Sequence, residues 1–255
     1  MNTPGARIEL DGTLNLRDLG GWQADGGTVA RGLLYRSDRL SELTDADLDR
    51  LDTLEIRTVI DLRYGQEANE HPSRLWSSVD NHVDVPMAGD LANQKSFIER
   101  AFAGEMDDIS DQAVGEGYIE MLIRHAIDFG RAINIAVDNT PTLFHCTAGK
   151  DRTGLLAMLM LGTLGVGQDD ILHDFTLSNQ YRAEVRMKAL APIFAAEGLN
   201  VETFRPAFSA PRLAMEMALE WIGREYGSPT AYVREAAGLG DDGIDRLRNR
   251  TLVPG

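Results

Sequence analysis

A nucleophile and a planar cation stand close together in the string His145-Cys146-Thr147-Ala148-Gly149-Lys150-Asp151-Arg152-Thr153-Gly154, which holds the chain's one cysteine. Ahead of it, Pro141-Thr142-Leu143-Phe144 follows the turn-forming Asp138-Asn139-Thr140 and predicts a buried strand. Behind it, Leu155-Leu156-Ala157-Met158-Leu159-Met160-Leu161 is apolar on every side and closed by Gly162 and Gly165. That run predicts a buried helix. The loop between them must present unpaired backbone N–H groups at a helix N-terminus, where the macrodipole also favours an anion.

A phosphate monoester suits such a cradle. The N–H groups of Thr147, Ala148, Gly149, Lys150, Asp151 and Arg152 can hold its non-bridging oxygens, and the Arg152 guanidinium can grip two of them with a fork that lysine lacks. Cys146 would attack phosphorus as a thiolate, and positive surroundings of this kind lower a thiol pKa from about 8.5 to roughly 3.5–7.5. One arrangement then binds the substrate and activates the nucleophile. Preorganised donors usually supply the largest share of the acceleration in such reactions. Most lone cysteines are small buried hydrophobes. The full string His-Cys-x-x-Gly-Lys-x-Arg-Thr-Gly between strand and helix selects the chemical role instead. Lys150 adds charge for the transferring phosphoryl group or a second phosphate. Thr153 can hydrogen-bond the sulfur and ease its departure, and His145 orients the cysteine turn. The other histidines, His71, His82, His125 and His173, lack metal-ligand spacing. Neither a metal nor a cofactor is expected.

The loop resembles the signature of the cysteine-dependent protein tyrosine phosphatases. Three further stretches narrow the likeness: Asn15-Leu16-Arg17-Asp18-Leu19-Gly20-Gly21, Gly32-Leu33-Leu34-Tyr35-Arg36-Ser37 and Ile56-Arg57-Thr58-Val59-Ile60-Asp61-Leu62-Arg63. Together they are similar to the bacterial tyrosine phosphatase B group, an atypical branch with members acting on phosphotyrosine, phosphoserine/threonine and phosphoinositides. The resemblance implies that Asp151, inside the loop, is the general acid, because this chain has no Trp-Pro-Asp loop. Lys150 and Arg152 would favour its ionised form until a phosphate dianion offsets them. Asp61, at a strand end beside Arg63, is the rival acid, and Asp84 a weaker third. In the resembling family the C-terminal helical material partly forms a lid, here placed within about 180–226.

The elements that must position this loop follow from patterning. Ile8 to Val29, interrupted by glycines, predicts a small β-hairpin region covering one edge. Thr44 can cap a helix through Leu54, with Leu48, Leu51 and Leu54 on one face. Strands are predicted at Ile56 to Leu62 and Val83 to Met87. One amphipathic helix is predicted over Glu116 to Val137, carrying Ile119, Leu122, Ile123, Ala126, Ile127, Gly130, Ile133 and Val137. Helices follow at Asp169 to Met187, Ala189 to Ala196, Pro211 to Tyr226, Thr230 to Ala237 and Asp242 to Arg248. Phe194, Phe204, Phe208, Met215 and Met217 exceed what thin helices need to cover a sheet. The order predicts an α/β fold, one phosphatase-like domain over 1–255. Its central sheet is mostly parallel with helices on both faces, and ligands sit at the carboxyl ends of strands.

Composition bounds the rest. The 255 residues suit one elaborated α/β domain, and no linker, repeat or low-complexity tract divides them. A net charge of −15, from 25 basic and 40 acidic residues, argues against nucleic acid and strong attraction to anionic membranes. No signal-peptide pattern and no apolar run of about 18 residues is present, so no membrane insertion is expected. A lone cysteine cannot form an internal disulfide, and a thiolate nucleophile points to a reducing, cytoplasmic setting, with signal-less export open. The expected function is hydrolysis of phosphorylated proteins or peptides, chiefly at phosphotyrosine, through a phosphocysteine on Cys146. The alternative is a phosphoinositide or inositol phosphate phosphatase, weakened because Thr147 rather than a basic residue follows the cysteine. A silent binding module is opposed by the intact Cys146, Asp151, Arg152 and Thr153, and arsenate reduction by the absence of resolving cysteines. Oligomeric state is not legible.

Overall fold

The computed structural model describes residues 3–87, 102–105 and 109–255. Its central sheet has five strands in the order β1-β4-β7-β5-β6, with β1 (Arg17–Asp18), β4 (Leu34–Ser37), β5 (Thr58–Asp61), β6 (Asn81–Asp84) and β7 (Thr142–His145). β4, β7, β5 and β6 run parallel, and only the edge strand β1 is antiparallel. The expected mostly parallel sheet is thus present. Register aligns Ser37 with His145, His145 with Asp61, and Asp61 with Asp84, so four strand ends form one row. The reactive loop leaves the sheet from the middle of that row.

Alternation along the strands divides the interior into two cores. Leu34, Ile60 and Phe144 face a large core. It is built with α4 (Ala126–Asp138), α5 (Asp151–Thr163), α6 (Gln168–Ser178) and α9 (Arg212–Tyr226). Tyr35, Val59 and Leu143 face a second core with Trp76, Ile56 and Leu51 of α1 (Asp45–Asp52). α1 begins as expected: the Thr44 side chain accepts from the Asp47 N–H, and Asp47 reaches back to the Thr44 N–H. α5 is buried from Thr153 through Leu161, as its all-round apolar sequence requires.

Four expectations need correction. The single helix over 116–137 is two, α3 (Asp111–Arg124) and α4, broken at His125, whose φ of −111° and ψ of 23° leave helical geometry. The two halves then bury different faces: Tyr118 and Leu122 of α3 sit in the core with α9, while Phe129, Ile133 and Val137 of α4 lie under the sheet. Ile123 and Ile127, counted into one stripe, are 62% and 66% exposed beside the break. The strand placed at Val83 to Met87 lies earlier, as β6. Pro86 has no N–H for a ladder, although Val85 and Met87 still donate to Asp61 and Leu62 carbonyls.

The glycine-rich start is not one edge hairpin. β1 flanks the central sheet, whereas β2 (Gln23–Ala24) and β3 (Gly27–Val29) pair with β8 (Leu252–Pro254) in a separate sheet. The helix expected from Asp169 to Met187 is α6, a π-helical turn at Asn179–Ala183, and the start of α7 (Glu184–Ala196). After the short α8 (Arg205–Phe208), α9, α10 (Pro229–Glu235) and α11 (Gly240–Thr251) fall where the sequence put them. Within 180–226, Met215 is buried in the large core, and a Cβ on Gly115 would lie 2.5 Å from the Met217 sulfur where α3 and α9 meet. Met187, Leu190, Phe194, Val201 and Phe204 form a small cluster of their own. The part of the expected lid lying outside the large core is therefore about 184–208.

Candidate active site

β7 delivers His145, and the chain turns through Cys146 to Lys150 before α5 starts at Asp151. Lys150, at the N-cap position, gives α5 no side-chain cap, so the helix's first N–H groups stay open toward the loop. Gly149 has φ +66°, and a Cβ there would meet the Asp38 nitrogen and Ser37 oxygen at 2.6 Å. Only glycine fits that turn. Cys146 is 1% exposed and unbonded to other cysteine.

The two motif segments near the start hold the loop from behind. Asn15 Nδ2 donates to the carbonyls of Ala148 (3.2 Å) and Gly149 (3.0 Å), and Arg36 Nη2 donates to Gly149 (2.8 Å). Arg17 Nη1 fixes Asn15 through its Oδ1 at 2.7 Å. Asp174, on α6, joins both arginines: Arg17 Nε at 2.9 Å and Arg36 Nη1 at 2.5 Å. Both guanidiniums are fully buried. Because a trans peptide sets its C=O and N–H opposite, carbonyls drawn backward turn the N–H groups of Gly149 and Lys150 forward. Burial works against the Asp174 carboxylate, yet Arg17 and Arg36 outweigh it and hold its pKa below the ordinary value. Burial and the neighbouring Arg17 pull Arg36 down to about 10, which leaves it a cation at pH 7.

At the front, Arg152 makes an end-on fork to Glu67 of α2 (Gly65–Glu70), Nη1 to Oε2 at 2.6 Å and Nη2 to Oε1 at 2.8 Å. The Thr147 hydroxyl donates to the same carboxylate at 2.5 Å. Of the five guanidinium hydrogens, Nε–H and the second on Nη2 remain as a side-on pair suited to two phosphate oxygens. Glu67 was not singled out from sequence. Its faint signal was a carboxylate shortly after a strand end in the row that also ends in His145.

Asp151 Oδ1 accepts from the Tyr118 hydroxyl at 2.7 Å and from Lys150 Nζ at 2.6 Å. Burial raises its pKa, but Lys150, Tyr118 and Arg152 together bring it below the ordinary aspartate value. Burial and the Asp151 charge in turn push Tyr118 well above 10, so its hydroxyl remains a donor. Asp61 lies in a different setting. Its two oxygens accept from Arg63 Nε and Nη2 at 2.6 to 3.1 Å, and both side chains are 1% exposed. That closed pair gives Asp61 no outlet to a leaving group. Asp84 is exposed on β6. Asp61, His82 and Asp84 come within 4.8 Å of one another, but Arg63 already occupies both Asp61 oxygens.

His145 is fully buried, and burial lowers its pKa to about 4, so it is neutral at pH 7. Its Nδ1 lies 3.2 Å from the Cys146 carbonyl, which can only accept, so Nδ1 carries the hydrogen. That bond fits the orienting role expected of it. Thr153 Oγ1 is buried without a hydrogen-bond partner among the described residues, so the expected bond to sulfur is not formed in this state.

Residues 8–253 match a family model described as a tyrosine phosphatase family. A protein of Cupriavidus necator described as a candidate tyrosine-protein phosphatase is 33% identical over 230 residues, which span 90% of this chain and 83% of that one. The triple specificity protein phosphatase PtpB of Mycobacterium tuberculosis is 29% identical over 277 residues, spanning 96% of this chain and 98% of that one. The crystal structure of P. aeruginosa TpbA is 18% identical and covers 72% of this chain and 90% of its own, with a TM-score of 0.31. An overlap that small carries no detail across.

Proposed function

The chain belongs to the tyrosine phosphatase family, and on that premise we propose that it hydrolyses phosphoprotein monoesters through a phosphocysteine on Cys146. The observation that carries this reading is the loop itself: a buried cysteine in the turn before a helix that has no side-chain cap, with Arg152 fixed by Glu67 so that its free edge remains for phosphate. The Cys146 thiolate attacks phosphorus, an S–P bond forms, and the ester P–O bond breaks. Asp151 gives its proton to the leaving oxygen. In the second step the Asp151 carboxylate takes a proton from water, whose oxygen attacks phosphorus. The S–P bond breaks, and the thiolate and inorganic phosphate are released.

Asp151 must be protonated for the first step, although Lys150 and Tyr118 hold it ionised in the resting state. A bound phosphate dianion reverses that balance by competing for the Lys150 ammonium and repelling the carboxylate. Asp151→Asn is expected to cut kcat/KM, which reports formation of the phosphocysteine alone, by about 10²–10⁴ on alkyl phosphates, the usual worth of a general acid. The loss should be much smaller on aryl phosphates with good leaving groups. Initial rates on both series check this, and equal losses would move the acid elsewhere.

Phosphotyrosine proteins are the favoured substrates, with tolerance for phosphoserine and phosphothreonine suggested by the relative named for triple specificity. No observation favours a phosphoinositide over a phosphopeptide. Among the described residues no helix is long and apolar enough to cross a membrane. A reducing compartment suits the lone thiol nucleophile.

A further inference from the structure

Two donors converge on a single oxygen of Asp151: the Tyr118 hydroxyl reaches Oδ1 at 2.7 Å, and Lys150 Nζ reaches the same Oδ1 at 2.6 Å. A carboxylate oxygen has two lone pairs, so Oδ1 is filled. Oδ2 makes no hydrogen bond among the described residues and is not closed off, the Asp151 side chain being 30% exposed. A proton on this carboxyl therefore belongs on Oδ2.

The two donors differ in how firmly they are placed. Lys150 carries its ammonium on a flexible stem, and a bound phosphate dianion draws it away from the carboxylate. Tyr118 cannot follow. It is 2% exposed in the large core, and its ring stands edge-on to Phe175 of α6, with centroids 6.0 Å apart at 86°. Phe175 in turn lies on the first turn of α5, where a Cβ on Gly154 would come within 3.0 Å of that ring. Three helices, α3, α5 and α6, thus fix the hydroxyl against the carboxylate it meets. Burial and the Asp151 charge push the Tyr118 pKa well above 10, so the hydroxyl donates throughout and never takes part in the proton transfer itself. Buried tyrosine hydroxyls usually find some acceptor, and packing alone would explain the contact if Asp151 had no chemistry to perform.

We propose that Tyr118 is a positioning residue for the proton donor: by holding Oδ1 it keeps Oδ2 aimed at the leaving oxygen in the first step and at water in the second. The inference rests on the phosphatase reading above, with Asp151 as the acid. As the ester P–O bond breaks, the Oδ2–H bond breaks with it and the leaving oxygen takes the proton. Oδ1 keeps its bond to Tyr118, which becomes the one fixed support of the carboxylate once Lys150 has turned to phosphate.

The test plots log(kcat/KM) against leaving-group pKa for a series of aryl and alkyl phosphates, with the native chain, Tyr118→Phe, Asp151→Asn and the double variant. Tyr118→Phe keeps the ring and removes only the hydroxyl, and a thermal unfolding curve checks that the core is intact. It should lose roughly tenfold on alkyl phosphates, the worth of one hydrogen bond to a charged group, and less than about twofold on the best aryl leaving groups. The plot should therefore steepen toward that of Asp151→Asn, and the double variant should be no steeper than Asp151→Asn alone. Equal losses across the series overturn the proposal, since they would mark Tyr118 as packing only. So does a gain on alkyl phosphates: the hydroxyl favours the ionised acid, and a purely electrostatic role would leave Asp151 more often protonated once it is removed. Further steepening in the double variant also overturns it, because Tyr118 would then act through another group. Absence of hydrolysis by the native chain would instead mark failure of the phosphatase reading, and the proposal would fall with it.

Discussion

Replacing Arg152 by lysine is expected to lower kcat/KM on aryl phosphates by about 10³-fold, the scale seen when a preorganised oxyanion donor is removed. Arg152 uses one edge on Glu67, at 2.6 and 2.8 Å, and keeps another for the substrate. An ammonium cannot do both, because its three hydrogens lie on one atom and present no planar fork. Burial opposes the Arg152 charge, yet the Glu67 carboxylate more than restores it, so the native guanidinium is held permanently charged. The lysine variant should therefore fold and still bind phosphate weakly. Steady-state kinetics beside a thermal unfolding curve check this. A loss below tenfold with unchanged stability would remove Arg152 from transition-state binding.

The largest effect on stability is expected at Asp174. Asp174→Asn should destabilise the fold by about 3–5 kcal/mol, the usual cost of removing one partner from a buried ion pair. Arg17 and Arg36 would both remain buried as cations, and an amide nitrogen would face one of them. The native carboxyl has its pKa lowered on folding, so its contribution is complete above the unfolded value of about 3.9 and is lost as pH falls below it. The deficit of the variant should accordingly persist from pH 5 to 9 and narrow only in acid. Activity should fall too, since Arg36 and Asn15 would no longer hold the Gly149 carbonyl in register. Urea midpoints across that pH range measure the first effect. A deficit under 1 kcal/mol would mean that the network is not what holds the loop.

How much of this was legible in the sequence depends on whether the signal was local. β7, the loop and α5 were, because a short apolar run, an unusual polar string and an all-apolar helix are adjacent in the chain. The placement of Asp61 at a strand end was also legible, while its position level with His145 comes from the sheet register. Its closure by Arg63 follows from strand geometry, since residues two apart point the same way. Glu67, Tyr118 and Asp174 were not singled out, being isolated polar residues on three separate helices that only the topology brings to the loop. Arg17 and Arg36 stood inside recognised segments, but their purpose needed Asp174 in view. The break at His125 escaped because the apolar pattern runs on unbroken through Ile123 and Ile127, side chains that prove exposed.

The claim on which everything else depends is that phosphate passes through Cys146. Rapid quenching of Asp151→Asn with a phosphorus-labelled aryl phosphate tests it, because that variant forms the intermediate but lacks the base to hydrolyse it. The account predicts label on the peptide containing Cys146 and none when Cys146→Ser is added. Turnover without protein-bound label, or label that persists in Cys146→Ser, would contradict it.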